Sequence, residues 1–595
     1  MNTPPQNLAL LLQETSFRTP TKKTLFHKEN QKYQGLGWDQ VQRRVNALAS
    51  FFLKQGVKTG DRIGILSENR PEWLITDFAA LSIGASTVPI YTTLSASEIQ
   101  YILVDSACEW LALSNKALFQ KVSSIQRQVP SLRGMIAFES SVLLDRREIE
   151  IPIFGTSDLW NTPTHEDLDR IRKNVGSSEL ASIIYTSGTT GTPKGVMLTH
   201  SNFIQNVVLS EETLKMSSAD VHLSFLPLCH VFERMAGHYL MVRLGATIAY
   251  AENLDTVPQN ISEIRPTFIL GVPRFFEKIQ TRVMDKVRSA SPFRQGLFAY
   301  ARELGRRKRV GEKTGWMAKL STPLAEILVY HKFKKGLGGR LRFCVSGGAP
   351  LSKEIGEFFC DLGVMIYEGY GLTETAPVIT VNRHDRHRFG SVGIPLRTVE
   401  VKISEDGEII TRSACVMKGY FRKPVETAQA LKDGWFYTGD LGHLDSEGFL
   451  FITGRKKELI VTSGGKKITP RPIEVLLEKD PYILRCVLFG EGKKCITALI
   501  VPKEAPLAEW ALEQKIEHRD YQDLLHNPKI FQFMDGRVQE LMKDFAPYER
   551  IKFFALLDKD FSQASGELTP TLKVKREVVQ NRYKDLLQSF YAAER

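Results

Sequence analysis

LRFCVSGGAPLSKEIGEFFCDLGVMIYEGYGLTET, residues 341–375, carries the pattern that decides the fold. An apolar run leads into a glycine turn, then into apolar residues at helical spacing, and then into a second apolar run. RIGILSENRPEWLITDFAALSIGASTVPIY, residues 62–91, has the same order, with Pro71 where a helix would begin. Repeated strand, helix and strand predict a parallel sheet with covering helices, whose ligand-binding loops follow the strands.

The length of the chain and a change in sequence texture predict more than one domain. A chain of 595 residues exceeds the size at which one core stops growing. Short strands and turns such as VKISEDGEIITR, after about residue 400, predict a β-rich subdomain. We therefore predict an α/β fold with a large N-terminal domain of layered sheets and covering helices, residues 1–455, and a small mobile α+β domain, residues 456–595.

Composition and charge narrow the classes of protein. The formal net charge of +12 suits an acidic partner, although a solvated basic surface explains it equally well. Seven cysteines without a CxxC pair predict neither a disulfide framework nor a zinc site, and fit a reducing, cytoplasmic environment. No apolar run approaches the ~20 residues of a membrane span, so we expect any membrane contact to be peripheral.

Two basic stretches, GRRKRVGEK and HKFKKGLGGRLR, hold much of the positive charge. Few aromatic residues stand between their charges, and no nucleic-acid-binding module accompanies them, so we expect no nucleic-acid partner. An anionic membrane surface and an acidic carrier protein remain as alternatives for these stretches.

YTSGTTGTPKG, residues 185–195, has the composition of a phosphate-binding loop. It is not the nucleotide-binding P-loop, because Pro193 and Gly195 stand where glycine and Ser or Thr belong. Glycines that expose backbone N–H groups, hydroxyl donors and a lysine nevertheless suit a triphosphate. A purely structural glycine and threonine turn is the alternative.

YTSGTTGTPKGVMLTH is followed, in order, by LPLCHVFER, YEGYGLTET, GWFYTGD, GRKKEL and GELTPTLKVKR. This set resembles the adenylate-forming (AMP-binding) superfamily over about residues 30 to 580, and its details resemble the long-chain fatty acid CoA ligase and acyl-ACP synthetase branch. The resemblance implies an ATP- and Mg²⁺-dependent ligase that forms an acyl-adenylate and then a thioester, most often with coenzyme A. Transfer to the phosphopantetheine of acyl carrier protein is the alternative, and a silent binder or a luciferase-like monooxygenase is a more distant one.

The resemblance also implies roles for individual residues. Thr186 and Glu374 are expected to bind the metal and to take part in catalysis. Lys573 is the expected catalytic lysine, which bridges the substrate carboxylate and the α-phosphate. The expected phosphate-loop residues are Thr186, Ser187, Gly188, Thr189, Thr190, Gly191 and Lys194. The other expected nucleotide-binding residues are Gly347, Gly348, Ala349, Tyr370, Gly371, Thr373, Asp440 and Arg455.

Each of these residues has a plainer structural alternative. Tyr370 could be a packed core aromatic, Glu374 an exposed loop acid and Asp440 a turn cap, and Lys573 could lie on a solvated basic strand edge. Only the ordered motifs favour the functional roles. By the same resemblance, the C-terminal domain pivots near Lys457, and the protein is a monomer or a homodimer.

The segment LPLCHVFER is expected to lie beside the acyl pocket. His230 is assigned no catalytic role, because a lone histidine is more often structural. Glu233 adjoins Arg234, and the segment has no Asp to meet a substrate amine, so an uncharged acyl tail is predicted. Arg234 occupies the position where some long-chain relatives have a tryptophan gate, which argues against such a gate at this point.

Overall fold

A computed structural model describes residues 4–186, 192–312, 326–569 and 572–592. Two large sheets, a smaller antiparallel sheet and a separate C-terminal region make up these parts of the chain. The mixed α/β architecture confirms the prediction of layered sheets with covering helices, a β-rich part and an α+β C-terminal part.

The first large sheet has a parallel centre. Strand Phe343–Ser346 pairs in parallel with Phe268–Gly271 on one side and with Met365–Gly371 on the other. Between these strands, helix Lys353–Asp361 begins after Ser352, whose hydroxyl accepts a backbone N–H of the first turn. In spatial order, the nine strands are Ile394–Pro395, Val378–Val381, Met365–Gly371, Phe343–Ser346, Phe268–Gly271, Val221–Ser224, Thr247–Tyr250, Lys23–Glu29 and Lys32–Gly37.

The second large sheet contains the strand–helix–strand unit predicted for residues 62–91. Strand Arg62–Leu66 is followed by helix Pro71–Ser82 and by the parallel strand Ser86–Ile90. At one side of the sheet, Leu180–Thr186 and Lys194–Thr199 form an antiparallel hairpin whose connection is the YTSGTTGTPKG motif. In spatial order, the eight strands are Gly419–Tyr420, Lys194–Thr199, Leu180–Thr186, Ser86–Ile90, Arg62–Leu66, Trp110–Leu113, Gly134–Ala137 and Ile153–Gly155.

Helix Pro71–Ser82 lies between the two large sheets. It contacts Ser86–Ile90 of one sheet and Lys23–Glu29 of the other, and eleven of its twelve residues are buried, with Glu72 half-buried. Burial on every side is the condition under which a helix has no polar face. Asp77 is the charged exception, and its partners are described below.

The β-rich part is a five-stranded antiparallel sheet, as the short strands and turns after residue 400 predicted. Its strands are Glu400–Ile403, Glu408–Arg412, Leu431–Lys432, Trp435–Leu444 and Leu450–Arg455. The long hairpin formed by the last two strands brings the nucleotide-binding candidates of GWFYTGD and GRKKEL next to each other.

The C-terminal region has apolar clusters of its own, built from side chains between residues 460 and 587. Its strands are Ile460–Val461, Lys467–Ile468, Ile483–Phe489, Ile496–Pro502 and Ile551–Leu556. Its helices are Pro470–Glu478, Glu504–Glu513, Tyr521–Leu525, Pro528–Leu541, Arg576–Arg582 and Lys584–Ala592.

A helical insertion separates the neighbouring strands Phe268–Gly271 and Phe343–Ser346. It contains helices Pro273–Arg288, Pro292–Arg309 and His331–Gly336, and a π-helical turn Glu326–Tyr330. The other helices before residue 455 include Leu8–Arg18, Trp38–Lys54, Ala96–Ser106, Lys116–Ser123, Thr156–Leu159, Leu168–Asn174, His200–Leu214, the π-helix Glu233–Tyr239, Leu240–Leu244, Val257–Ile264 and Pro424–Ala430. Among the helices that the structure describes, none is both long and apolar enough to cross a bilayer.

Candidate active site

A cleft of about 3590 Å³ lies between the N-terminal sheets and the C-terminal region. It brings together all the predicted site residues that the structure describes. These are Thr186, Lys194, Gly347, Gly348, Ala349, Tyr370, Gly371, Thr373, Glu374, Asp440, Arg455 and Lys573. The predicted phosphate-loop residues Ser187, Gly188, Thr189, Thr190 and Gly191 lie outside the described residues.

Asp440 forms one polar corner of the cleft. It is opposite Arg455 in the register of the long hairpin, and Arg455 Nε lies 2.9 Å from Asp440 Oδ1. The Tyr370 hydroxyl donates a hydrogen bond to Asp440 Oδ2 at 2.7 Å, and burial, together with this carboxylate, keeps the pKa of Tyr370 well above its usual value. Asp440 lies within a strand and does not cap a turn, so the corner is a buried carboxylate aimed at the cleft.

Glu374 forms the second corner, in the short turn Thr373–Thr375. Its Oε1 accepts a hydrogen bond of 2.8 Å from the Tyr420 hydroxyl, and the Tyr420 ring centroid lies 5.1 Å from Lys194 Nζ. Burial raises the pKa of Glu374, while the bond from Tyr420 acts in the opposite direction. A carboxylate whose charge is disfavoured by burial gains from a cation bound nearby.

Tyr420 is a site residue that the sequence analysis missed. It reaches the cleft because strand Gly419–Tyr420 pairs with strand Lys194–Thr199 of the phosphate-loop hairpin. Its partner Glu374 is 46 residues away in the chain, so no local spacing connects the two. The tyrosine in MKGYF is a weak sequence signal for a site residue.

The residues SGGAP form a small-residue wall beside these corners. A Cβ atom at Gly347 would lie 3.3 Å from the Phe232 ring, and Gly348 has a φ of +80°, which favours glycine. At Gly371 a Cβ atom would lie only 1.8 Å from the Pro377 carbonyl oxygen. Close packing against Phe232 and Pro377, together with the positive φ of Gly348, therefore requires glycine at these three positions beside the cleft.

Lys573 enters the cleft from the C-terminal region. Its backbone is held in a tight turn, in which Thr569 N donates to Lys573 O at 2.8 Å and Lys573 N donates to Thr569 Oγ1 at 3.0 Å. The side chain is exposed inside the cleft, with protein on most sides. The protein that surrounds the ammonium in the cleft desolvates it and lowers the pKa of Lys573, and the charge of Arg455 acts in the same direction.

Among the described residues, two exposed ion pairs join the two regions across the cleft, apart from those of Lys456 with Asp406 and Glu408 at the boundary between the regions. Lys479 Nζ lies 2.9 Å from Glu354 Oε2, and Lys575 Nζ lies 4.0 Å from Glu98 Oε1. Exposed pairs of this kind contribute about 0 to 1 kcal/mol each. The contact therefore opposes separation of the two regions only weakly.

The apolar end of the cleft follows helix Pro273–Arg288. Phe275, Ile279, Val283 and Val287 recur every fourth residue and all line the cleft. The twelve residue steps from Phe275 to Val287 make this stripe about 18 Å long, which suits an extended apolar chain.

His230 lines the cleft and lies near enough to Lys573 to be affected by its charge. Its Nδ1 accepts the Phe232 N–H at 3.2 Å, which holds the ring in place. Burial lowers the pKa of His230 to about 4, and the charge of Lys573 adds to this effect. The imidazole is therefore neutral near pH 7.

Arg234 is not among the residues that line the cleft. It is fully buried, its NH2 bonds Asp77, and its NH1 donates to Ser182 at 2.6 Å. Glu233, its neighbour in sequence, pairs instead with His222, with 2.7 Å between Glu233 Oε1 and His222 Nε2. Glu233 and Arg234 adjoin in sequence but do not pair with each other, because successive residues of this helix face different partners.

The donor atoms of the cleft suit magnesium better than a transition metal. Among the residues that the structure describes, no group of three or more His, Cys, Asp or Glu could hold a metal ion by itself. Magnesium is commonly bound by one or two protein oxygens together with substrate phosphates. The carboxylate of Glu374 and the hydroxyl of Thr186 are oxygen donors of that kind in the same cleft.

Comparison with known families agrees with this arrangement. Residues 12–421 match the AMP-binding enzyme family, and residues 457–595 match the AMP-binding enzyme C-terminal domain. The chain belongs to the AMP-binding enzyme family. The resemblance drawn from the ordered motifs is thereby confirmed.

Relatives of this AMP-binding enzyme include long-chain fatty acid CoA ligases. The long-chain-fatty-acid–CoA ligase FadD15 of Mycobacterium bovis is 34% identical over 568 residues, which cover 93% of this chain and 92% of that protein. The long-chain-fatty-acid–CoA ligase ACSBG2 of Xenopus laevis is 30% identical over 635 residues, covering 99% and 84%. These relatives confirm that the chain is a ligase.

Solved structures share the fold of this AMP-binding enzyme. The adenylation domain of a carboxylate reductase from Mycobacterium chelonae aligns with a TM-score of 0.77 at 20% identity, covering 99% of this chain and 92% of that one. The anthranilate CoA ligase AuaEII in complex with anthranoyl-AMP aligns with a TM-score of 0.74 at 19% identity, covering 98% and 99%.

Proposed function

We propose that this AMP-binding enzyme activates a long-chain fatty acid with ATP and transfers the acyl group to coenzyme A. The observation that carries the proposal is the position of Lys573, which shares one cleft with Glu374 and Asp440 at the head of an apolar stripe. Long-chain fatty acid CoA ligases among the relatives support the substrate and the acceptor. The cleft thus combines a nucleotide end, a lysine and an acyl end.

The nucleotide is held at the polar end. The Asp440 carboxylate accepts hydrogen bonds from the ribose hydroxyls, and Arg455 fixes that carboxylate from the other side. Adenine lies on the small-residue wall beside Tyr370, with Gly371 and Ala349 allowing close approach. The phosphates run toward the hairpin loop, and the group that binds them is Thr186, Ser187, Gly188, Thr189, Thr190, Gly191, Lys194 and Thr373.

Lys573 serves the first half-reaction. A carboxylate oxygen of the fatty acid attacks the α-phosphorus, the bond to the β-phosphate oxygen breaks, and pyrophosphate leaves. The Lys573 ammonium lies between the two anions and stabilises the charge that develops on the α-phosphate oxygens. Since the surrounding protein lowers its pKa, this lysine is also desolvated enough for its charge to act strongly.

When magnesium is bound, it neutralises part of the negative charge of the phosphates. Glu374 and Thr186 are the residues that hold it. Tyr420 orients the Glu374 carboxylate by donating a hydrogen bond to Oε1, which leaves Oε2 without this bond.

The second half-reaction needs a different arrangement. The thiolate of coenzyme A attacks the acyl carbon, the bond to the phosphate oxygen breaks, and AMP leaves with the electron pair. Lys573 is no longer needed, and the C-terminal domain, residues 456–595, turns about Lys457 to admit the thiol. The weak ion pairs across the cleft permit this movement.

The experiment that tests the proposal measures AMP release with ATP, magnesium and a fatty-acid series from octanoate to stearate. Each acid is assayed without a thiol, with coenzyme A, and with holo acyl carrier protein; acetate serves as the acid without a tail. We expect turnover with the longer acids and coenzyme A, and little with acetate. If only the carrier protein supports turnover, the acceptor is acyl carrier protein and not coenzyme A. If no acid causes AMP release, the proposal is refuted.

A further inference from the structure

A third strand lies behind the Asp440 corner of the cleft. Asp440 and Arg455 lie opposite each other on the long hairpin of the β-rich sheet. Strand Glu408–Arg412 pairs with the strand that carries Asp440, and Glu408 lies opposite Leu441 in that pairing. This register places the Glu408 side chain beside the ion pair of Asp440 and Arg455.

The two carboxylate oxygens of Glu408 bond to both ends of this corner. Gly439 N, directly before Asp440, donates a hydrogen bond to Glu408 Oε1 at 2.8 Å. Lys456 Nζ, directly after Arg455, donates to Glu408 Oε2 at 2.8 Å. One side chain thus connects the residue before the carboxylate to the residue after the guanidinium.

Glu408 is a buried charge whose cation is in place. Its side chain is 6% exposed, whereas that of Lys456 is 44% exposed. Asp406 also bonds Lys456, and the carboxylates of Asp406 and Glu408 together raise the pKa of Lys456. A buried polar group whose hydrogen bonds are made at both oxygens is held in one orientation. Glu408 is therefore a rigid support and not a solvated surface acid.

The backbone that leads into Asp440 is held by the same strand. Gly439 has a φ of +74°, a conformation that favours glycine, and its N–H is the group that Glu408 accepts. One residue earlier, Thr438 Oγ1 donates to Ile409 O at 2.7 Å and accepts the Asp440 N–H at 3.1 Å. Glu408 and Ile409 therefore fix the chain on which the Asp440 carboxylate is mounted.

We propose that Glu408 is a positioning residue of the ribose corner, which sets the places of Asp440 and Arg455 for the nucleotide. The proposal rests on the function proposed above, in which Asp440 accepts hydrogen bonds from the ribose hydroxyls. A displaced Asp440 loses these bonds, while the adenine and phosphate contacts, which other parts of the cleft make, remain. Glu408 therefore controls how strongly the site distinguishes a ribose from a deoxyribose.

Titration calorimetry of the full chain with AMP and with 2′-deoxy-AMP tests this role. The unmodified chain should bind AMP about 10-fold more tightly, since the 2′-hydroxyl donates a hydrogen bond to a charged group. Glu408→Gln should lower this ratio to about 3-fold, because an amide has one acceptor oxygen and can serve Gly439 or Lys456 but not both. Glu408→Ala serves neither and should bind the two nucleotides equally.

Asp480→Asn is the matched control. Asp480 is also a buried carboxylate, which accepts the Tyr482 N–H at 2.9 Å and lies 2.9 Å from Arg537 Nε. It belongs to the C-terminal region and is not among the residues that line the cleft. Its variant should keep the ratio of the unmodified chain. The nearly isosteric Glu408→Gln remains informative if Glu408→Ala fails to fold, which the melting temperature of each variant reports.

Three outcomes would overturn the inference. They are equal binding of both nucleotides by the unmodified chain, an unchanged ratio in both Glu408 variants, and an equal fall of the ratio in Asp480→Asn. A merely structural role would weaken both nucleotides alike and leave the ratio unchanged. AMP release by the unmodified chain with the fatty-acid series is measured in parallel. AMP release with an unchanged ratio counts only against the role of Glu408, and a lowered ratio without AMP release counts only against the proposed ligase reaction.

Discussion

Replacing Lys573 with methionine is the sharpest test of the proposed mechanism. Methionine keeps much of the length and apolar body of the lysine side chain and removes only its charge. The backbone turn with Thr569 does not depend on the side chain, so it is retained. The nearby Asp440 and Arg455 keep their mutual contact.

The size of the effect follows from the charges in the cleft. An ammonium about 4 Å from a phosphate oxygen contributes about 4 kcal/mol at an effective dielectric constant of about 20. Arg455 remains in the cleft and supplies part of the positive potential, so we take about 3 kcal/mol as the loss. This value corresponds to about 150-fold in rate, within the range for removing one preorganised donor.

The assay must separate the two half-reactions. Fatty-acid-dependent exchange of pyrophosphate into ATP reports adenylate formation, and thioester formation from supplied acyl-adenylate reports the second step. We expect the loss in the first assay alone. Lys575→Met is the matched control, since it removes an equal charge two residues away, where the ion pair with Glu98 is long and weak.

Two results would refute the reasoning. One is an equal loss in both half-reactions, and the other is an equal loss in the Lys575→Met control. A pH profile adds an independent check. Burial and Arg455 lower the pKa of Lys573, so adenylation should fall as the pH rises through a value below the usual 10.5, and Lys573→Arg should move that fall to higher pH.

Three further changes test other parts of the structure. Tyr420→Phe removes the hydrogen bond to Glu374, so the magnesium concentration for half-maximal rate should rise about 10-fold; an unchanged value contradicts the positioning role. Burial lowers the pKa of His200 to about 3, whereas an unfolded histidine has a pKa of ~6.5. As the pH falls, the unfolded chain therefore binds a proton at His200 before the folded chain does. About 2 kcal/mol of the free energy of unfolding is lost from pH 7 to pH 5. Urea titrations should show a smaller loss in His200→Gln, and an identical loss would argue against it. Arg234→Met leaves the Asp77 carboxylate buried without its cation and should lower the free energy of unfolding by about 3–5 kcal/mol, with the KM for fatty acid unchanged; a changed KM in a stable variant would restore a gating role.

Much of the fold could be predicted because its signals are local. The apolar runs predict strand Arg62–Leu66, and Pro71 marks the start of helix Pro71–Ser82. Both signals lie within a few residues of the element that they predict. The site candidates were found in the same way, since each lies in a short motif. Their meeting in one cleft agrees with the resemblance, while their individual roles stay predictions.

The contacts that were not predicted depend on distant partners. Arg234 bonds Asp77, which is 157 residues away, and only the packing of helix Pro71–Ser82 between two sheets brings them together. Tyr420 reaches Glu374 through the pairing of a two-residue strand. Periodicity cannot report such neighbours, because it records which face of an element is apolar and not what packs against it.

The separate apolar clusters of the C-terminal region have a thermal consequence. Since side chains between residues 460 and 587 pack among themselves, and the ion pairs across the cleft are weak, the two regions should melt as distinct cooperative units. A calorimetric scan would then show two transitions, and adenylation would cease at the lower one. If the C-terminal unit melts first, heat would inactivate the enzyme by withdrawing one lysine while the nucleotide-binding half stays folded.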